Sequence, residues 1–166
     1  MAPRAPLYTA EQKLRRDTSP WTLVQAILAP VQLLVFLVSV VLVLRYLRSG
    51  EGQSIATISI VAKTFILYAI MITGSIWEKE IFGCYLFAQA FFWEDVVSML
   101  VLTLHTLYLW ALLTNTFSTR QQMYIALAGY ATYALNASQF LYKLRASRLQ
   151  ERATMLTAGA VSVESP

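Results

Sequence analysis

Four apolar runs divide the chain: Thr22 to Leu44, Ile55 to Trp77, Val96 to Leu113 and Met123 to Tyr142. Coiled as helices at about 1.5 Å per residue, runs of this length span a hydrocarbon core about 30 Å thick. The segments between them are short, so the pattern predicts an all-α integral membrane protein of about four transmembrane helices in a small bundle. Ser19-Pro20 opens the first run as a helix start, with Ser19 able to cap free N–H groups and Pro20 suited to the first turn. Pro30 lies inside that run and predicts a kink. The run is too long for the apolar core of a signal peptide, and about twenty mixed residues precede it, so it reads as a retained span. The chain then divides into an N-terminal segment (residues 1–21), a membrane domain (22–142) and a basic tail (143–166) expected to be disordered beyond Arg152.

Composition agrees with that outline: 57% of residues are hydrophobic and 13% charged, where soluble domains are about 25% charged. The net charge of +4 comes from residues flanking the apolar runs. That placement suits lipid headgroups rather than nucleic acid, so lipid and no nucleic acid is the expected environment. Arg4, Lys13, Arg15, Arg16, Lys79, Lys143, Arg145, Arg148 and Arg152 fall on one side of a four-span arrangement, against Arg45, Arg48 and Arg120 on the other. The positive-inside rule then places both termini and the loop 78–95 in the cytoplasm. The single cysteine, Cys84, excludes an internal disulfide and reads as packing. Asn136-Ala137-Ser138 matches a glycosylation acceptor but lies within a span, where it has no such meaning.

The loop is where chemistry can reside. Glu78 and Glu80 close the second run, Glu94 and Asp95 open the third, and an aromatic stretch including Phe91, Phe92 and Trp93 lies between. Trp77 and Trp93 could be interfacial anchors, with Glu94 and Asp95 favoured by the dipole of the following helix. Four acids gathered on the cytoplasmic side are less well covered by that reading. Carboxyl groups held beside apolar rings are suited to acid–base work.

Deeper in the bilayer, His105 lies on one helical face with Glu94 and Ser98. It could be a hydrogen-bonded residue facing Gln32, or a functional one. Lys63 is expected to snorkel to the periplasmic surface. Gln25, Gln32 and Ser39 recur every seven residues on the first span, and Thr132, Asn136, Gln139 and Lys143 form a similar stripe on the fourth. Such stripes join helices or line a pocket for a large ligand. The chain contains no P-loop, Rossmann glycine pattern, H-E-x-x-H or nucleophile elbow. No cofactor and no protein-bound metal is expected, which leaves isomerisation, hydration or elimination by acid–base groups.

Several stretches together resemble the 3-vinyl bacteriochlorophyllide hydratase family. These are Ser19-Pro20-Trp21-Thr22-Leu23-Val24-Gln25-Ala26-Ile27-Leu28-Ala29-Pro30, Ile76-Trp77-Glu78-Lys79-Glu80-Ile81-Phe82-Gly83 and Phe91-Phe92-Trp93-Glu94-Asp95-Val96-Val97-Ser98-Met99. Leu104-His105-Thr106 and Leu141-Tyr142-Lys143-Leu144-Arg145 extend the likeness over roughly Leu7 to Arg148. The resemblance implies a hydro-lyase of bacteriochlorophyll synthesis in a bacterial membrane. Water would add across the 3-vinyl group of a chlorophyllide or bacteriochlorophyllide, giving a 3-(1-hydroxyethyl) product.

Such chemistry needs a carboxylic acid to protonate the terminal vinyl carbon and an ionised partner to activate water. Glu78 and Glu94 are the candidates, with Asp95 and Glu80 as second choices. On this reading His105 could be an axial ligand of the substrate's magnesium. Phe91, Phe92, Trp93 and Tyr108 would stack on the macrocycle beside Trp77, and Lys79 would meet its propionate. The competing readings are a non-catalytic protein that binds or delivers pigment or organises the pathway's enzymes, and a quinone or haem electron carrier, against which the single His counts. So thin a bundle around so large a ring also leaves room for a homodimer.

Overall fold

The computed structural model describes residues 7–163, with side chains through Leu149 and at Arg152. The described residues form five helices and no strand: α1 (Ala10–Thr18), α2 (Pro20–Ser49), α3 (Gln53–Phe82), α4 (Phe92–Thr114) and α5 (Thr119–Val163). Helix α1 falls within the N-terminal segment and begins with a capping box, in which Thr9 and Gln12 satisfy each other's backbone N–H groups. Ser19 then caps α2 and Pro20 occupies its first turn. Helix α2 continues through Pro30 to Ser49. Gly50 and Gly83 end α2 and α3 in left-handed conformations, each donating its N–H back into the helix it closes.

Three helices, α2, α3 and α4, are long and apolar enough to cross a membrane. The sequence pattern predicts a fourth at Met123 to Tyr142. That stretch is helical, but Gly129, Thr132, Asn136, Ser138 and Gln139 dilute its apolar character. Helix α5 also runs on to Val163, where a disordered tail is expected from Arg152. The segment includes good helix formers in Arg152, Ala153, Met155, Leu156, Ala158 and Ala160. Residues 164–166 lie outside the described part.

The helices pack as two antiparallel pairs. Ser39 with Ser59, Gln25 with Thr73, Thr22 with Trp77 and Ser19 with Glu80 mark the opposed courses of α2 and α3. Asn136 with Ser98 and Lys143 with Glu94 do the same for α4 and α5. The pairs meet around Val43, Ile60, Tyr108, Met123 and Tyr130.

Within that junction Lys63 and His105 are almost wholly buried. Lys63 therefore does not snorkel: its Nζ lies 3.2 Å from His105 Nε2 and 4.1 Å above the Tyr133 ring. The ring of Tyr133 and the imidazole supply the contacts that water would otherwise give.

Gly129 of α5 makes this junction possible. A Cβ there would sit 2.9 Å from His105 Cε1, and the ring is held by Val101 O on one side and Lys63 on the other. We predict that Gly129→Ala destabilises the folded bundle by about 1–3 kcal/mol through overpacking. Thermal unfolding in detergent checks this, and an unchanged midpoint would show that the imidazole is free to move.

Candidate active site

The loop joining α3 to α4 closes on the helix ends it connects. Glu78 lies near the C-terminal end of α3, and Glu94 and Asp95 in the first turn of α4. All three are buried, at 6%, 6% and 4% exposure. Asp95 Oδ2 accepts the backbone N–H of Phe87 at 2.7 Å, and Glu78 Oε2 accepts that of Ala88 at 3.3 Å. Phe87 takes a left-handed conformation, φ 62°, as the loop turns its amides toward the carboxyl groups. The Glu78 and Asp95 carboxyl groups are close neighbours.

Two bare carboxylates so placed would repel, which favours keeping one proton on the pair. The surroundings decide which group carries it. Asp95 receives the shorter amide hydrogen bond and stands at the positive end of a helix, both of which stabilise its anion. Glu78 has the longer bond and stands toward the negative end of α3. Of the two, Glu78 is the better place for such a proton. Glu94 is engaged otherwise, in a 2.6 Å ion pair with Lys143 Nζ. The same ammonium donates to Ala90 O and lies 4.9 Å from the Phe91 ring centroid.

An aromatic wall adjoins the acids. Phe91 is buried and meets Trp77 at 5.8 Å, Phe82 at 5.8 Å, Phe140 at 5.9 Å and Tyr8 at 6.4 Å between ring centroids. Tyr8 precedes α1, which brings the N-terminal segment across the C-terminal end of α3.

The residues singled out in the sequence separate into three groups. Glu78, Glu94, Asp95, Phe91 and Trp77 converge. Glu80, Lys79, Phe92 and Trp93 face outward: Glu80 is bound to Ser19, Lys79 donates to Gly83 O, and Phe92 and Trp93 are 44% and 69% exposed. His105 and Tyr108 lie in the core, away from the acids.

His105 Nδ1 is 2.8 Å from Val101 O. A carbonyl only accepts, so Nδ1 carries the hydrogen and the Nε2 lone pair faces Lys63. Binding a magnesium through Nε2 would require displacing Lys63. Lys143 figures in the sequence as a basic flank, the end of a polar stripe and part of a family motif but not as a partner of Glu94, and Tyr8, Phe82 and Phe140 are not candidates there. Nothing in the linear pattern pairs residues so far apart.

Among the described residues no group of His, Cys, Asp and Glu is arranged to hold a metal ion. A shallow groove of about 450 Å³ on α4, lined by Leu102, Thr103, Thr106, Leu107 and Trp110, includes none of the acids. What the acidic site offers is a proton donor, a proton acceptor and a fixed counter-charge beside flat apolar rings.

Removing one partner of the buried ion pair tests its energetic role. Lys143→Met should cost about 3–5 kcal/mol by leaving Glu94 charged and unpaired. Adding Glu94→Gln should recover most of that loss. A double variant no more stable than Lys143→Met would contradict the pairing.

A family model described as 2-vinyl bacteriochlorophyllide hydratase matches residues 8–146. A protein of Rhodobacter capsulatus named 2-vinyl bacteriochlorophyllide hydratase is 64% identical over 147 residues, 89% of this chain and 85% of that protein. One of the same name from Cereibacter sphaeroides is 62% identical over 152 residues, 92% of this chain and 94% of that protein. No solved structure matches.

Proposed function

The chain belongs to the 2-vinyl bacteriochlorophyllide hydratase family, and we propose that the Glu78–Asp95 pair carries out its reaction. The protein is a hydro-lyase of bacteriochlorophyll synthesis. It adds water across the vinyl group that the relatives' names number 2 and the resemblance above numbers 3, leaving a 1-hydroxyethyl substituent. The observation that carries the assignment is the burial of Glu78 and Asp95 at opposed helix ends, each accepting a backbone N–H from the loop between them.

Glu78 donates its proton to the terminal vinyl carbon. The π electrons form the new C–H bond, and the adjacent carbon becomes a cation delocalised into the macrocycle. A water oxygen attacks that carbon, and its surplus proton passes to Asp95. Transfer from Asp95 to its neighbour Glu78 returns the proton and closes the cycle. Glu94, fixed as an anion by Lys143, gives the developing cation a preorganised counter-charge.

The macrocycle stacks on the wall of Phe91, Trp77 and Phe82, with Tyr8 and Phe140 at its margins. Lys79 and the arginines of the same end are suited to the substrate's propionate. An axial ligand to the substrate's magnesium from His105 is open only if Lys63 gives way.

The site's position follows from the charge pattern. With the Met123 to Tyr142 stretch of α5 as a fourth crossing, both termini and the catalytic loop lie in the cytoplasm, in a multi-pass bacterial membrane protein. The polar side chains of that stretch turned toward α4 would make such a crossing tolerable.

A non-catalytic pigment carrier would have no need of a protonated buried acid. Glu78→Gln removes the transferable proton while keeping the shape. Turnover of vinyl chlorophyllide by membranes expressing this variant should fall roughly 10²-fold or more, with pigment binding retained. Undiminished formation of the product that is heavier by one water would rule Glu78 out as the acid.

A further inference from the structure

Below the acids, the α4–α5 interface contains polar groups that the proton cycle does not use. Asn136 is 8% exposed and Ser98 5%, and Asn136 Nδ2 donates to Ser98 Oγ at 2.7 Å. Ser98 follows Asp95 by three residues and Glu94 by four, so it lies one turn beneath them on the same face of α4. On α5, Gln139 and Lys143 follow Asn136 by three and seven residues and continue its face toward the Glu94 ion pair. The antiparallel register set by Asn136–Ser98 and Lys143–Glu94 brings Gln139 level with Asp95, about 4.5 Å above Asn136 along the axis.

Two acceptors in this seam, Asn136 Oδ1 and Gln139 Oε1, are buried and receive no hydrogen bond from another described residue. A buried amide oxygen without a donor is costly. Sites with several such groups close together are where proteins hold ordered water. Ser98 Oγ, which accepts from Asn136, still has its own hydrogen to give.

We infer that Asn136, Gln139 and Ser98 hold the water molecule that the reaction adds. This assignment rests on the hydratase reading of the acids above it. The two amide oxygens accept the water's hydrogens, which leaves an oxygen lone pair free to attack the cationic carbon. On attack the C–O bond forms from that lone pair, the O–H held by Gln139 turns to Asp95 at the same level, and its hydrogen leaves as a proton to that carboxylate while the O–H electrons stay on oxygen. The stripe on the fourth apolar run thus joins α5 to α4 and also feeds the site. Helix α3 supplies the acid and α4 the base, while the water is held between α4 and α5.

The role separates from that of Glu78 in deuterated water. Protonation of the vinyl group is reversible, and a cation that is not captured loses a hydrogen and returns as vinyl carrying deuterium at its terminal carbon. Full-length protein in membranes, given vinyl chlorophyllide in D2O, is assayed for both product and deuterium in recovered substrate. Asn136→Leu should slow hydration about tenfold or more, the size of a lost hydrogen bond or two, while vinyl deuteration continues at the wild-type rate or faster.

Gln139→Leu leaves the Asn136–Ser98 contact in place and gives the same readout if Asn136→Leu does not fold. Hydration at the wild-type rate in both variants, or equal loss of hydration and deuteration in folded protein, would overturn the assignment. Glu78→Gln is the control for the underlying reading, because it should abolish both signals. If it retains both, the acid assignment fails, whatever the Asn136 variants do.

Discussion

A bundle in lipid gains little from burying apolar side chains against one another, because the solvent outside is equally apolar. What distinguishes one arrangement of these helices from another is where their polar groups can be satisfied. The contact of Lys63 with His105 is the strongest such constraint in this chain. A lysine with almost no exposure at that depth must find its partners within the bundle. It finds an imidazole lone pair from α4 and aromatic faces from α5 and α2. Ser39 of α2 adds its own bridges to Ser59 and to Tyr130. Four helices are thereby tied at one level, and Gly129 gives α4 and α5 the closeness this needs.

The acidic site depends on that knot although it lies well away from it. Once α3 and α4 are fixed at mid-depth, the end of one and the start of the other emerge at the same face, joined only by Gly83 to Phe91. That loop is short, and its amides have few places to go. Phe87 and Ala88 donate to Asp95 and Glu78, so the carboxyl groups serve the backbone as well as the proposed chemistry. The opposed helix ends make the two acids unequal. An acid pair within a single helix would share one dipole and lack that asymmetry.

Much of this was legible in the residues. The apolar runs match helices, and of the four acids that bracket the aromatic loop Glu78, Glu94 and Asp95 converge while Glu80 turns outward to Ser19. The likeness to vinyl hydratases named the chemistry that the comparisons support. What was not legible concerns direction and distance. Phe91, Phe92 and Trp93 look alike in sequence, yet only Phe91 turns inward, because the first turn of α4 fixes which side faces the bundle. Lys63 was expected to reach for the surface, since hydropathy cannot reveal that His105 stands beside it. Lys143 and Glu94 meet only once α5 folds back along α4. The polar residues that lower the apolar character of α5 are those it turns toward its neighbour.

The central claim is that Glu78 carries the proton of the carboxyl pair before substrate arrives. Infrared spectroscopy of the purified protein reads that state directly, because a protonated carboxyl group has a C=O stretch distinct from that of a carboxylate. A buried protonated band should be present in the unmodified protein, vanish in Glu78→Gln and persist in Glu94→Gln. Absence of the band, or its survival in Glu78→Gln, would contradict the account.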